Sequence, residues 1–195
     1  MAKNTPRTST NSSRPKKRFP WRWVGFAVAP LSLAILVGVS VVSDKNEDPV
    51  AEAVPFELIG TDGQTVSLEE SLVEGDALLY FSMGVGCDGC FAQIPELEAA
   101  LAERGMSFVP IMVDPADVVS AEAARFGIER PILIDSGSAV SEAYGMVGIY
   151  GHGDRPSHSF ALVRQSGEVA WVRHYAEMFV PADALFGELD AAMES

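Results

Sequence analysis

Cys87 and Cys90 are the only cysteines in the 195-residue chain, and two residues separate them. At the start of a helix, that spacing places both sulfurs on one turn, where unpaired backbone N–H groups and the helix dipole stabilise a thiolate on the first. The chemistry such a pair can do is thiol–disulfide exchange. Cys87 attacks a disulfide to give a mixed disulfide, and Cys90 resolves it by closing the intramolecular bond. Asp88 works against activation, because a neighbouring carboxylate disfavours the thiolate. Gly84, Gly86 and Gly89 leave the backbone around the sulfurs open to a second chain. An inert buried disulfide or a metal-binding pair would use the same two residues. Two thiols alone make a poor zinc site, however, and His152, His158 and His174 lack the spacing of a finger or ribbon. The chain is therefore expected to need neither metal nor cofactor.

The elements that must position this pair can be read from apolar patterning. Val54–Leu58 and Thr65–Leu68 are extended pieces around a turn at Thr61-Asp62-Gly63, so a hairpin opens the domain. The run ALLYFS at 77–82, bounded by Glu74-Gly75-Asp76 and a glycine-rich segment, is a central strand buried on both faces. The cysteines follow directly. Phe91, Ile94, Leu97 and Leu101 recur at helical spacing up to Arg104-Gly105, with Pro95 expected to kink the helix. Ser107–Val113 is a strand, Ala116–Phe126 a helix and Pro131–Ile134 a strand. Ser138–Tyr144 is a short helix with Ser138 as N-cap. Ser159–Val163 and Val169–Tyr175 flank Gln165-Ser166-Gly167 as a second hairpin, and Pro181–Met193 opens as a helix with proline at its start. The fold class is α/β: a mixed central sheet flanked by helices.

Charge divides the chain. Seven of the 14 basic residues precede Asp44 and no acidic residue does, whereas from Asp44 onward seven basic residues face 27 acidic ones, a formal charge of −20. Such a surface repels nucleic acid and anionic lipid headgroups. Residues 1–22 read as a basic, disordered cytoplasmic tail. The uncharged stretch Trp23–Val42 has the length an α-helix needs to cross roughly 30 Å of hydrocarbon, so 23–43 is expected to be a transmembrane anchor. The preceding positive charges keep the amino terminus in the cytoplasm and send the acidic remainder outward. A cleaved signal peptide, with small residues at Val41, Val42 and Ser43, is the competing reading. Residues 44–53 are a polar linker, and 54–195 form the folded domain. Oligomeric state is not readable from the sequence.

Val54-Pro55-Phe56-Glu57-Leu58, Asp62 through Leu68, the strand with Cys87 and Cys90, and Pro131 through Tyr144-Gly145 together resemble the redoxin branch of the thioredoxin superfamily over about residues 54–193. That branch includes the alkyl hydroperoxide reductase/thiol-specific antioxidant family and membrane-tethered thiol-disulfide reductases. The resemblance implies a thioredoxin-like fold and redox activity on protein or small-molecule disulfides and thiols. The departures are specific. Gly86 stands where such reductases carry Trp. Aligned on the strand, Cys90 takes the peroxidatic position of a peroxiredoxin, but Met83 and Cys87 stand where its Pro and Thr belong, and its catalytic Arg is not in place. The position of that Arg, or of the reductases' cis-proline, falls on His158, which is expected to face the sulfurs as an acid or base near neutral pH. A two-residue shift would make Pro156 the cis-proline. The leading expectation is an exchange enzyme with site residues Cys87, Cys90, His158 and Pro156. The alternatives are a thiol peroxidase and a non-catalytic copper- or haem-handling module using the thiols with Met83 or His158, with Met112 and Met146 as further soft ligands.

Overall fold

The computed structural model describes residues 52–193, all within the second of the two units into which the chain divides, Val42–Ser195. The basic tail, the 23–43 span and the linker up to residue 51 lie outside the described residues. Among those residues no helix is long and apolar enough to cross a membrane. Ala53, assigned to the linker, already belongs to the domain, since its N–H donates to the Gly167 carbonyl at 2.8 Å.

The chain runs β1 (Glu57–Gly60), β2 (Thr65–Ser67), α1 (Leu68–Ser71), β3 (Ala77–Phe81), α2 (Asp88–Glu103), β4 (Ser107–Met112), α3 (Ala116–Arg125), β5 (Leu133–Ile134), α4 (Ala139–Ala143), a 3-10 turn (Ile149–Gly151), β6 (His158–Val163), β7 (Val169–Tyr175) and α5 (Ala182–Met193). The seven strands form one sheet in the order β2-β1-β5-β4-β3-β6-β7. β3 is parallel to β4 and β4 to β5, while β6 and β7 run antiparallel on the far side of β3. Parallel neighbours require crossovers, and α2 and α3 supply them.

The strand β3 is apolar throughout because both of its faces are covered. Leu78 and Tyr80 point into a core with Phe91, Ile94, Leu97 and Leu101 of α2, Val119 and Ala123 of α3, and Leu185 and Leu189 of α5. Ala77, Leu79 and Phe81 point into the opposite core with Leu68, Leu72 and Tyr144. Truncating a ring such as Phe91, fully buried against Phe126, to alanine costs about 3–5 kcal/mol.

The helix α2 runs through Pro95 from Asp88 to Glu103, the extent expected of it. Two local expectations are corrected. Ser138 precedes α4 in the left-handed region at φ 62° and its side chain caps nothing. The cap comes from Asp135, whose carboxylate accepts from Ser141 N at 2.7 Å, Ser141 Oγ at 2.7 Å and Val140 N at 3.2 Å. The strand expected over Pro131–Ile134 shortens to Leu133–Ile134, consistent with a proline that has no N–H to give a ladder.

Candidate active site

The redox pair sits where β3 hands over to α2. Cys87 is the N-cap of α2, and its Sγ accepts from Cys90 N at 3.2 Å. Its carbonyl also accepts from Cys90 N, at 3.1 Å. The two sulfurs are bonded to each other, with the Cα atoms 5.3 Å apart. Both cysteines are buried, but Cys87 retains 4 % of its surface and Cys90 none, so Cys87 is the less enclosed of the two. A reduced Cys87 is thus placed for thiolate stabilisation by the helix start.

The glycines around the pair have tighter reasons than open access. Gly84 has φ +80°, and an added Cβ would lie 2.2 Å from Asp114 Oδ2. At Gly89 an added Cβ would lie 2.6 Å from the Met178 carbonyl oxygen. The segment between β7 and α5 therefore passes directly over the dipeptide that separates the cysteines, and only glycine allows that approach. Gly86, exposed with φ +97°, has open space beside it.

His158 does not face the sulfurs. It is fully buried under α2, with Nδ1 3.0 Å from Tyr80 Oη and Nε2 3.3 Å from Gln93 Oε1. Tyr80 in turn donates to the Cys90 carbonyl at 3.0 Å. Gln93 Oε1 also accepts from Val180 N at 2.7 Å, which fixes the orientation of the amide, and its Nε2 is buried without a partner. Burial pushes His158 down to about 4, so the resting imidazole is neutral. Burial likewise pushes the Tyr80 phenol well above its ordinary value. The network is then one proton short: Tyr80–Cys90 O, Tyr80–His158 and His158–Gln93 are three contacts, and a neutral imidazole plus one hydroxyl supply two protons.

Pro156 is buried and forms an isolated bridge with Val147. No peptide bond among the described residues is cis, so the cis-proline expectation is not met there. The methionines of the copper alternative are dispersed. Met112 and Met146 lie in opposite cores, and Met83 presents its carbonyl to Arg155. Among the described residues no three His, Cys, Asp or Glu side chains gather as a metal site.

Sequence reasoning missed four residues at this end of the sheet. Tyr80 is hidden in an apolar run and Gln93 in a helix repeat. Arg155 and Asp114 lie in loops 41 residues apart, yet they form an ion pair at 2.5 Å beside the segment leading to Cys87. No spacing rule reports such a pair.

A mixed sheet with helices on both faces and a Cys-x-x-Cys pair at the first turn of α2 defines a thioredoxin-like protein. The redoxin family model matches residues 45–178, more than half of the chain, and the chain belongs to the redoxin family. A curated relative, the thiol-disulfide oxidoreductase ResA of Halalkalibacterium halodurans, is 27 % identical over 162 residues, covering 80 % of this chain and 86 % of its own. Among solved structures, peroxidoxin BcpB from Mycobacterium tuberculosis superposes with a TM-score of 0.60 at 24 % identity over 75 % of this chain and 96 % of its own. A thiol peroxidase from Chromobacterium violaceum gives 0.60 at 17 % identity over 76 % and 89 %. These two likenesses concern the fold.

Proposed function

We propose that this redoxin is a thiol-disulfide oxidoreductase that works outside the cytoplasmic membrane, tethered by residues 23–43, on protein or small-molecule disulfides and thiols. The observation that carries the reading is the bonded Cys87–Cys90 pair at the start of α2, with Cys87 the less enclosed residue of the two. The reduced Cys87 thiolate attacks a partner disulfide, forming one S–S bond and releasing one partner thiolate. Cys90 then attacks Cys87 Sγ, and the second partner thiolate leaves. The partner gains two electrons and two protons as the dithiol becomes the disulfide, and the reverse sequence oxidises a dithiol partner.

His158 enters through Tyr80 rather than by touching sulfur. A Cys90 thiolate formed in this buried region would oppose the desolvation that keeps the imidazole neutral. A proton on His158 would also complete all three contacts of the network. Within this reading His158 holds the proton that accompanies Cys90, and Pro156 shapes the chain entering β6.

The test is turnover of glutathione disulfide by the reduced protein, alongside stopped-flow consumption of hydrogen peroxide. Exchange that is lost in Cys87→Ser supports the reading. Exchange retained in Cys87→Ser, or fast peroxide consumption lost in Cys90→Ser and kept in Cys87→Ser, overturns it in favour of a peroxidase.

A further inference from the structure

Two chain segments converge on the turn that delivers Cys87. Arg155, just ahead of β6, donates from both Nε and Nη2 to the Met83 carbonyl, at 2.9 and 2.5 Å. Its Nη2 also bonds Asp114 Oδ2 at 2.5 Å, beyond the end of β4. The same Asp114 oxygen accepts from Val85 N at 2.8 Å. The Met83 carbonyl and Val85 N–H are thus held by the two partners of one ion pair, and Gly84 between them is the glycine that has no room for a Cβ. The Gly84 carbonyl then accepts from Cys87 N at 3.1 Å. The ion pair is partly sheltered, with side-chain exposures of 34 % for Arg155 and 15 % for Asp114. Hydrogen bonds to ionised groups are the strong ones, and a forked guanidinium fixes direction as well as distance.

We infer that Arg155 and Asp114 are positioning residues for the nucleophilic thiol, holding the 83–85 turn so that Cys87 Sγ stays at the N-cap of α2 when its bond to Cys90 is open. In the disulfide form Cys87 is stapled to the helix covalently. In the dithiol and mixed-disulfide forms that staple is gone, and the clamp from Arg155 to Met83 O and from Asp114 to Val85 N holds the turn in its place. The inference deepens the exchange reading and rests on it. Small misplacements of a reacting group are expensive in rate even when the fold is intact.

The test uses the protein carrying Arg155→Lys, Arg155→Gln, Asp114→Asn or Asp114→Ala, with two readouts. One is kcat/KM for glutathione disulfide. The other is the pH dependence of iodoacetamide alkylation of Cys87 in a Cys90→Ser background. Arg155→Lys keeps the cation but loses the fork, so a change there reports position and not charge. We expect exchange to fall on the order of tenfold in Arg155→Lys and further in Arg155→Gln. The alkylation midpoint should rise in Arg155→Lys as the contact from the backbone N–H of position 90 to Cys87 Sγ loosens. Asp114→Asn, which keeps an acceptor for Val85 N–H, should recover the greater part of what Asp114→Ala loses. If Arg155→Gln or Asp114→Ala fails to fold, Arg155→Lys and Asp114→Asn decide. Exchange within twofold of the parent, or an unshifted alkylation midpoint in Arg155→Lys, overturns the inference. A parent that does not exchange at all overturns the exchange reading instead, so the two failures are distinct.

Discussion

The starts of α1 and α2 solve the same physical problem with different atoms. At α1, Ser67 Oγ accepts from Glu70 N at 3.1 Å while the Glu70 carboxylate accepts from Ser67 N at 2.9 Å, a reciprocal cap that satisfies two otherwise unpaired donors at the surface. At α2 the cap is a sulfur, Cys87 Sγ, bonded to Cys90 and backed by the buried Tyr80–His158–Gln93 chain and the Arg155–Asp114 pair. A sulfur is a weaker acceptor than a hydroxyl or carboxylate oxygen. The α2 start thus gives up capping strength for a group that can be attacked and released, and side chains from β3, β6 and two loops provide the rigidity that an oxygen cap would supply alone.

The comparison breaks most sharply if the sulfur is not needed. Cys87→Ser should leave a well-capped helix and a folded domain by circular dichroism, with exchange reduced on the order of a thousandfold or more. Loss of fold instead of activity would make Cys87 a structural residue. Next in size is the response to acid of the groups beneath α2. His158 is held at about 4 in the folded protein, against about 6.5 when unfolded. Between those values the unfolded chain binds the extra proton, so the stability contribution is present above pH 6.5 and is lost as pH falls toward 4. The loss is on the order of 3 kcal/mol. Urea denaturation against pH should show that slope, and His158→Asn should flatten it. An unchanged slope in the variant would place the acid sensitivity elsewhere.

Two smaller effects belong to the oxygen-capped helices. Asp135, only 2 % exposed and bonded three times by the start of α4, should cost about 2 kcal/mol as Asp135→Ala, with exchange unaltered. Ser67→Ala should cost about 1 kcal/mol or less, again without kinetic effect. Denaturant midpoints measure both. A kinetic defect in either would show that helix starts in this protein are coupled, contrary to the contrast drawn between them.

What the sequence made legible follows from short-range rules. ALLYFS is a buried strand because β3 has no polar face, and Phe91, Ile94, Leu97 and Leu101 repeat at the helical period because α2 has one core face. The two cysteines stand only three positions apart and are therefore visible as a pair. The support beneath them was not visible. Tyr80 reads as one more aromatic in a strand, and the register of β6 points His158 at the sulfurs, whereas its ring meets Tyr80, which in turn donates to the Cys90 carbonyl. Gly89 reads as an open approach to the sulfurs until the Met178 backbone is seen to occupy that space. Ser138 carries the favoured cap residue type, but its left-handed backbone turns the hydroxyl away from the duty that Asp135 performs from three residues earlier. Each of these depends on contacts between distant segments, which neither periodicity nor composition encodes.

The most direct test of the account is to trap the first chemical step. Reduced Cys90→Ser protein mixed with glutathione disulfide and quenched in acid should carry one glutathione on Cys87 by peptide mass spectrometry, and the Cys87→Ser protein should carry none. A glutathione found on Cys90 of the Cys87→Ser protein, with none on Cys87 of the Cys90→Ser protein, would contradict the assignment of Cys87 as the attacking sulfur.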